Sequence, residues 1–398
     1  MKILVFNCGS STLKFQLIEM ESRVDGAKKL LEGMVDRIGA HASWRYKGDG
    51  VQMVERSIAA ADHQAAVGFV IGSLESMSQI GLPDAVGHRV VHGGDRFTAA
   101  VLIDDHVVTD LDELCEIAPL HNPGAVSAVR AARKILGASV PMVAAFDTSF
   151  HHRIPEAAAI YAIPWEVSQK HKVRRYGFHG LAHQYDIARY AELCGKSPAQ
   201  VSAVTLHLGN GCSATAVLRG QSVDTSMGFT PLEGLMMGTR SGDLDPALVN
   251  YLARKENVDT AEIEIWLNKR SGLLGVSGIS NDMRELIAAY DGNSRARLAI
   301  DVFNYRARKY LGAYLAVLRG AAQAVIFSGG IGENAPLVRG GICAGMEWCG
   351  IALGDDANQK VIGREGRISA AGSKLDVFVI HTDEEAIIAR ETMRLVGG

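Results

Sequence analysis

The sequence predicts an α/β protein with two duplicated domains, each a β-sheet layered with helices. Short, apolar, β-prone segments alternate with helical segments along the 398 residues. An apolar strand leading into a glycine–serine turn also occurs twice, because residues 3–11 match residues 205–213 at an offset of 202 positions. This offset is about half of the chain, so the match fits a duplicated fold with a site between two similar domains, and chance similarity is the alternative.

The predicted strands are short apolar runs that end at glycine or polar residues. They span residues 3–6, 85–91, 140–146, 203–208, 324–327 and 375–380. Capping residues mark the helices: Asn122-Pro123 begins a helix that ends at Gly137, and Asp245-Pro246 begins another. Residues 294–318 form a long amphipathic helix, and residues 383–396 form a final helix with acidic residues in its first turn.

The composition excludes several classes of protein. Hydrophobic residues make up 47% of the chain, enough for a sizeable core and too many for a disordered protein. The formal net charge is −3 and no basic run stands out, which argues against nucleic acid as a partner. The cysteines form no C-x-x-C pair, as expected for free thiols in a reducing compartment. No apolar run reaches the ~7–15 residues of a secretory signal at the start or the ~20 of a membrane span, so we expect a cytoplasmic protein without membrane association.

Three glycine-rich segments, residues 7–14, 207–213 and 328–334, each follow a predicted strand. Glycine lets backbone N–H groups approach an anion closely, and Lys14 and the hydroxyls of the first segment add charge and donors. In the third segment, glycines would let a nucleotide lie against the backbone at a helix start. Each segment alone is weak, and an ordinary hairpin turn is the alternative for the first. Together they indicate a phosphorylated ligand.

Three rival sites fit the sequence poorly. Gly195-Lys196-Ser197 has the tail of a P-loop, but Tyr190 stands where that motif requires glycine. The third glycine-rich segment resembles a dinucleotide-binding turn, but it lies outside any βαβ unit with a suitable acidic partner. His179 and His183 have the spacing of helical zinc ligands, but position 180 is glycine where a zinc protease has glutamate.

Arginine and histidine residues supply candidate positive charge. In residues 87–94 the strand period puts Arg89 and Val91 on one face, where Arg89 could bind a carboxylate or phosphate beside an apolar wall. Arg240 lies in a loop too rich in glycine for a helix. Two arginines directed at one point would suit phosphoryl transfer, although a surface salt bridge is the commoner role.

Histidine and acidic residues complete the candidate set. His121, His179 and His207 could stabilise charge near phosphate, although a structural role is the commoner one for each histidine alone. Asp147 and Glu384 follow predicted strands, where ligand sites gather in α/β folds, and Mg²⁺ prefers one or two carboxylates. For Glu384 the alternative is an acid favoured by the helix dipole.

Taken together, these segments resemble the acetate kinase (acetokinase) family over residues 2–390. The segments that carry the resemblance stand in family order: the 7–14 turn, GHRVVHGG, APLHNP, FDTSFH, RRYGFHG, HLGNG, SMGFTPLEGLMMGTRSGDLDP, SGGIGEN and TDEEAIIAR. The resemblance implies the fold of the acetate and sugar kinase, Hsp70 and actin superfamily: two duplicated ribonuclease H-like domains with an active-site cleft between them. The implied domains are residues 1–150, completed by 385–398, and residues 151–384. A homodimer is also implied.

The reaction implied by the resemblance is reversible, Mg²⁺-dependent transfer of a phosphoryl group from ATP to acetate, giving acetyl phosphate and ADP, with Mn²⁺ as an alternative metal. The implied catalytic residues are Asn7, Arg89, His121, Asp147, His179 and Arg240, with Asn7, Asp147 and Glu384 at the metal. The implied acetate residues are Arg89, Val91, Leu120, Phe178 and Pro231. The expected nucleotide residues are Lys14, His207, Leu208, Gly209, Asn210, Gly211, Asp282, Met283, Arg284, Gly330, Ile331, Gly332, Glu333 and Asn334.

Acetate is already ionised at neutral pH, so no strong general base is required. We therefore expect Asp147 to order Mg²⁺ and its water, Arg89 to hold the carboxylate, and Arg240 and His179 to stabilise the phosphoryl group during direct in-line transfer. Three positions depart from the family pattern or vary within it: Thr12, Asp383 and Cys212. Asp383 adds negative charge beside Glu384 and leaves the metal preference open.

Three other functions remain as alternatives. A propionate or butyrate kinase is the nearest, because one methylene in an apolar pocket discriminates by only ~1–3 kcal/mol. An Hsp70-like ATPase predicts a separate binding domain, for which no residues remain. A non-catalytic nucleotide-binding regulator would be expected to have lost some of the charged residues, which are intact in this sequence.

Overall fold

The structure is a computed structural model that describes residues 1–9, 11–21, 27–39, 41–48, 51–77 and 80–397, without the side chains of Val51 and Gln52. Ser10 of the predicted 7–14 turn and Gly398 of the predicted first domain lie outside the described residues. Residue contacts divide the chain into a first unit, Met1–Phe150 with Asp383–Gly398, and a second unit, His151–Thr382. Among the described helices, none combines the length and apolar character needed to cross a membrane.

The first unit is built on a sheet whose strand order, within the described residues, is β5-β4-β3-β2-β1-β6-β8-β7. Its strands are β1 Lys2–Cys8, β2 Leu13–Glu19, β3 Lys28–Asp36, β4 Ser43–Gly48, β5 Val51–Ser57, β6 Ala85–Val90, β7 Val101–Leu102 and β8 Met142–Phe146. Its helices are α1 His63–Ser76, α2 Asp105–Glu113, α3 Asn122–Leu136 and, from the end of the chain, α15 Glu384–Val396. β1 pairs antiparallel with β2 and parallel with β6, which pairs parallel with β8.

Helices cover both faces of this sheet. Val67 and Val70 of α1 and Ala128 of α3 are buried in one apolar cluster with Leu4 of β1. On the other face α15 approaches β6 so closely that a Cβ atom at Gly87 would lie 2.6 Å from Cγ2 of Ile388. The strands of the centre are therefore buried on both sides, which explains their nearly unbroken apolar sequence.

The second unit is built on a sheet whose order, in the described part of the chain, is β11-β10-β9-β12-β14-β13. Its strands are β9 Ala203–Leu208, β10 Cys212–Leu218, β11 Gln221–Thr225, β12 Ala324–Ser328, β13 Gly366–Arg367 and β14 Asp376–Val379. Its helices are α4 Glu156–Ala159, α5 Trp165–His171, α6 Gly180–Leu193, α7 Ala247–Glu256, α8 Thr260–Lys269, α9 Gly272–Ser277, α10 Met283–Ala288, α11 Ser294–Val317, α12 Gly329–Asn334, α13 Pro336–Cys343 and α14 Asp355–Lys360. Short 3-10 turns span Ser149–His151, Pro198–Gln200 and Glu347–Cys349.

The two sheets share one plan. In each, antiparallel strands lead to a first strand (β1 or β9) that pairs parallel with β6 or β12. A further parallel strand (β8 or β14) and a short antiparallel strand (β7 or β13) follow. The predicted fold class, α/β with two duplicated ribonuclease H-like domains, is confirmed.

The predicted elements differ from the observed ones mainly at their ends. The strands predicted at 85–91, 140–146 and 375–380 are Ala85–Val90, Met142–Phe146 and Asp376–Val379. The third glycine-rich segment, predicted at a helix start, is itself the short helix α12. The cause is Gly329, whose φ of +71° turns the chain from β12 directly into that helix and whose missing side chain leaves room for the carbonyl of Leu208.

Candidate active site

A cluster of charged side chains in the first unit surrounds Arg89. Asn7 on β1 and Arg89 on β6 are partners in parallel register, and Asp147 follows the end of β8. Glu384 is the first residue of α15, where a carboxylate is favoured by the helix dipole. Because β1, β6 and β8 are parallel, their carboxyl ends meet at one edge of the sheet and bring these side chains together.

Arg89 is held by three partners at once. Its Nε donates to Oδ1 of Asp147 at 2.9 Å and its Nη2 to Oδ2 at 2.6 Å, a bidentate pair. Its Nη1 donates to Oδ1 of Asn7 at 3.0 Å and lies 3.1 Å from Oε2 of Glu384. The Asp147 side chain is only 1% exposed. This guanidinium is therefore fixed in position by the residues around it.

Negative charge exceeds positive charge in this cluster. Burial acts against the charge of Arg89, but the carboxylates of Asp147 and Glu384 outweigh it and raise the pKa of Arg89 above its ordinary value. Glu385, whose Oε1 accepts from Nδ2 of Asn7 at 2.9 Å, has its pKa raised by burial and then by Glu384. A cation bound here would be stabilised by the excess of carboxylate oxygens.

The donors in this cluster fit a magnesium ion better than a structural metal. Among the described residues, no three His, Cys, Asp or Glu side chains converge closely enough to hold a metal by themselves. Mg²⁺ differs from such metals because it binds through one or two carboxylates and takes its other ligands from phosphate oxygens and water. Asp147, Glu384 and the amide oxygen of Asn7 supply that kind of set.

Asp383 has a structural role beside this cluster. Its side chain caps α15 by accepting from the amide of Ala386 at 2.9 Å, and it lies 3.4 Å from Nζ of Lys29. Part of the extra negative charge expected at this position is therefore offset by the helix dipole and by Lys29. Lys14, on β2 opposite Asn7, is exposed.

The buried side chain of Asn122 positions His121. Oδ1 of Asn122 accepts from the amide of His92 at 3.1 Å, and its Nδ2 donates to the carbonyl of His92 at 3.0 Å. This pair ties the start of α3, which directly follows Leu120 and His121 in sequence, to the segment after β6 that contains Val91. Leu120 is half exposed, as an apolar residue that lines a ligand site can be.

In the second unit, two histidines and an arginine meet at the turn between β9 and β10. His179, at the start of α6, has a left-handed backbone with φ of 56°. Its ring centre lies 5.0 Å from that of His207, near the end of β9. A Cβ atom at Gly211 would lie 3.2 Å from Cε1 of His179 and 3.5 Å from Nη1 of Arg240. A side chain at position 211 would therefore crowd the point where His179 and Arg240 approach each other.

Arg240 differs from Arg89 in its partners. Its Nη1 donates to the carbonyl of Pro231 at 3.1 Å and approaches Sδ of Met237 at 3.5 Å. Within the described residues no carboxylate forms an ion pair with Arg240, and burial lowers its pKa from the ordinary value. A largely buried guanidinium without a counter-charge is suited to an anionic ligand.

The loop that carries Arg240, between β11 and α7, is braced by charged side chains. Arg175 donates from Nη1 to the carbonyls of Thr225 and Ser226 at 3.1 and 3.2 Å, and from Nη2 to Oε1 of Glu233 at 2.6 Å. Tyr161 also donates to Glu233. Within the loop, Oδ1 of Asp243 accepts from the amide of Gly234 at 2.8 Å. An irregular segment is thus held in one conformation by partly buried polar contacts.

The predicted nucleotide residues of the second unit gather at Asn210. The carbonyl of Asn210 accepts from the amide of Gly238 at 2.9 Å, and its Oδ1 accepts from Nδ2 of Asn281 at 2.9 Å, next to Asp282. Asp282 caps α10 and forms an exposed ion pair with Arg284, and Met283 is buried. The 209–211 turn, the Arg240 loop and residues 282–284 are therefore adjacent.

The remaining predicted residues divide between exposed backbone and buried side chains. Gly330 is exposed, and a Cβ atom there would meet nothing within 4 Å. Ile331, Gly332 and Glu333 are buried, and Asn334 is exposed. Oε2 of Glu333 lies 2.6 Å from Nδ1 of His381. Phe178 is buried and its carbonyl lies 3.1 Å from Nε2 of His151.

Sequence reasoning assigned no role to several residues that build these clusters. They are Glu385, Asn122, Arg175, Glu233, Asp186, Ser213 and Ser328. Oγ of Ser213 lies 3.1 Å from Nδ1 of His179, and Oγ of Ser328 lies 3.1 Å from Nδ1 of His207 and donates to Asp186. The doublet Glu384-Glu385 was visible in the sequence, but strand and helix periodicity does not show that both side chains reach Asn7. Ser213 and Ser328 lie inside the glycine-rich segments, where a serine next to glycine is a recognisable signal for a polar contact.

Comparison with known proteins identifies relatives along the full chain. The profile of the acetokinase family matches residues 2–390. The acetate kinase of Chloroherpeton thalassium is 46% identical over 100% of this chain and 99% of its own length. Among solved structures, an acetate kinase from Porphyromonas gingivalis has a TM-score of 0.91 and 40% identity, covering 99% of both chains. A propionate kinase from Francisella tularensis has a TM-score of 0.92 and 37% identity over 99% of this chain and 100% of its own.

Proposed function

This chain belongs to the acetokinase family, and on that premise we propose that it is an acetate kinase, which transfers a phosphoryl group reversibly between ATP and acetate. The observation that carries this proposal is the contrast between its two arginines. Arg89 is fixed by Asp147 and Asn7, whereas the largely buried Arg240 has no carboxylate in an ion pair among the described residues. The guanidinium of Arg89 is thus held in a fixed orientation, and that of Arg240 has its positive charge available for an incoming anion.

Arg89 would bind the carboxylate of acetate. Its two contacts to Asp147 fix the plane of the guanidinium, so binding costs little side-chain entropy. Asp147 is already engaged in this bidentate pair, which fits an orienting role better than proton abstraction. Acetate needs no deprotonation at neutral pH, so the reaction has no task for a strong base.

Arg240 and His179 would stabilise the phosphoryl group as it is transferred. Charge spreads over the equatorial oxygens of that group in the transition state, and donors that are already in place stabilise it without reorganisation. The approach of both side chains to Gly211 supports one shared oxyanion position. We propose direct in-line transfer, with His121 as a further charge-stabilising residue.

The nucleotide would lie against the second unit. Gly209, Asn210 and Gly211 offer backbone to the phosphates, and Gly330 leaves room for a close approach. Residues 282–284 and 331–334 complete the proposed nucleotide set, with Lys14 from the first unit. Val91, Leu120, Phe178 and Pro231 are proposed to surround the acetate methyl group.

Asn7, Asp147 and Glu384 would hold the metal, Mg²⁺ or in its place Mn²⁺. The ion would supply positive charge to the phosphate oxygens and to the acidic cluster. Glu385, hydrogen-bonded to Nδ2 of Asn7, would hold that amide with its oxygen toward Arg89. A homodimer, a cytoplasmic location and a domain division at residues 150 and 384 also belong to the proposal.

A coupled assay with ATP and acetate, propionate or butyrate tests the proposal. We expect the highest kcat/KM with acetate and a lower value with propionate, since one methylene changes it by about 10–200-fold. A higher kcat/KM with propionate would instead favour the activity named for the Francisella relative. Hydrolysis of ATP without acyl phosphate formation would reject both.

A further inference from the structure

A hydrogen-bonded chain of three side chains leads from the core of the second unit to His207. Oγ of Ser328 lies 2.5 Å from Oδ2 of Asp186 and 3.1 Å from Nδ1 of His207. The neighbouring strands β9 and β12 are parallel, and His207 and Ser328 are partners in their register. Asp186 lies on α6, which packs against β9. The fold itself therefore brings the three residues into line.

The acidic end of this hydrogen-bonded chain is fully buried. Asp186 and Ser328 both have 0% exposure. The second carboxylate oxygen, Oδ1, accepts from the hydroxyl of Thr382 at 2.7 Å. With a hydroxyl on each oxygen, the carboxylate is held in one orientation, and its burial strengthens both hydrogen bonds.

The chemistry of the three groups sets which of them donates each hydrogen bond. An ionised carboxylate only accepts hydrogen bonds, so the single hydroxyl proton of Ser328 is directed to Asp186. The oxygen of Ser328 can then only accept from His207, which requires a proton on Nδ1. A phosphate oxygen that contacts this ring would meet Nε2. Because an ionised phosphate oxygen only accepts hydrogen bonds, the ring must take up a second proton, on Nε2, to donate to it, and the resulting positive charge lies one hydroxyl away from the buried carboxylate of Asp186.

We propose that Asp186 and Ser328 are positioning residues that hold His207 as an Nδ1–H donor to Ser328 and present its Nε2 edge to the phosphates of the nucleotide. This inference rests on the proposed function, which puts the nucleotide at residues 207–211. Neither Asp186 nor Ser328 touches the reacting atoms in this account. His207 faces the rings of His179 and His183 from α6, at 5.0 and 6.2 Å between centres. The orientation of His207 therefore also affects the neighbouring catalytic candidate His179.

The first test reads the protonated nitrogen of His207 directly. Long-range ¹H–¹⁵N NMR of the full chain without nucleotide or acetate distinguishes a protonated Nδ1 from a protonated Nε2, and His207→Gln assigns the signals. We expect Nδ1 to carry the proton in the wild type, and Ser328→Ala to give a mixture of both tautomers. An unprotonated Nδ1 in the wild type, with Nε2–H instead, would overturn the inference.

The second test separates positioning from a merely structural role. Ser328→Ala and Asp186→Asn are expected to raise KM for ATP about tenfold, with KM for acetate changed by less than about twofold. Ser222→Ala is the matched control, because it removes a buried serine at 2.8 Å from Nδ1 of His151, and it should leave KM for ATP unchanged. Equal changes in both KM values, or none, would reject the role of Asp186 and Ser328.

The two proposals fail in different ways. If the wild type forms no acetyl phosphate from ATP and acetate, the proposed function is wrong, whatever the tautomer of His207. If the wild type is active but His207 carries its proton on Nε2, the positioning chain is wrong and the proposed function stands.

Discussion

Arg89→Ala and Arg240→Ala are expected to abolish the same activity and to differ in their effect on stability. Each removes a cation that we propose contacts an anionic substrate. However, Arg89 compensates Asp147 and Glu384 in the folded protein, whereas no carboxylate pairs with Arg240 among the residues described. The two variants therefore separate catalytic from structural contributions.

The magnitudes follow from the contacts. Removing Arg89 leaves the nearly inaccessible Asp147 without its bidentate partner, and breaking a buried ion pair in this way costs about 3–5 kcal/mol. At about 2–4 °C per kcal/mol for a unit of this size, Tm should fall by about 6–20 °C. Arg240→Ala removes a hydrogen bond to Pro231 and a contact with the sulfur of Met237. Because burial already opposes the charge of Arg240, the free energy of unfolding of the variant should change by about 1 kcal/mol or less. Both variants should lose about 10³-fold or more in kcat/KM.

The assays are thermal unfolding without substrates and acetyl phosphate formation measured at saturating ATP. Arg133→Ala is a suitable control, because its exposed pair with Asp105 should contribute about 1 kcal/mol or less and nothing to turnover. Near-normal turnover of Arg240→Ala would refute its proposed role. Equal loss of stability in the Arg89 and Arg240 variants would refute the conclusion that the buried ion pair with Asp147 sets the larger loss for Arg89→Ala.

Three further predictions concern charge and metal. Glu385→Gln should reduce the pH dependence of the free energy of unfolding. Burial and then Glu384 raise the pKa of Glu385, so the wild type loses stability as the pH rises through that pKa. Chemical unfolding in EDTA should show a smaller loss in the variant. His88→Leu should stabilise the protein by about 1 kcal/mol at neutral pH, because both ring nitrogens of this buried histidine lack a hydrogen-bond partner among the described residues. Burial lowers the pKa of His88 to about 3, so the stability that the wild type loses as the pH falls from 6.5 should be smaller in the variant, and an unchanged pH profile would contradict this. Chelation of divalent ions should abolish turnover and leave Tm within a few degrees, and activity that persists in EDTA would contradict the proposed metal role of Asp147 and Glu384.

Much of the fold could be predicted from local patterns. Apolar runs gave the central strands within a few residues, and the Asn122-Pro123 pair gave the start of α3. These signals are local, since strand burial and helix capping depend on neighbouring residues. The third glycine-rich segment was predicted at a helix start, but its bounds as the helix Gly329–Asn334 were not, because they depend on a positive φ at Gly329 that composition does not encode.

The candidate site could be predicted only in part. Residues next to strand ends were found because parallel strands gather their carboxyl ends at one edge. The partners of those residues were not found, because they come from distant positions: Asp186 and Ser328 are 142 residues apart, and Ser328 and His207 are 121 apart. The bracing of the Arg240 loop was missed for a related reason, because the loop has no periodicity and Arg175 acts on it from an earlier segment.

The stereochemistry at phosphorus tests the proposed reaction most directly. ATP that is chiral at the γ-phosphorus through three oxygen isotopes would be converted with acetate, and the configuration of the acetyl phosphate determined. A single in-line displacement, with Arg89 holding acetate and Arg240 and His179 stabilising the moving group, predicts inversion. Retention would show two displacements through a phosphorylated residue and would contradict direct transfer.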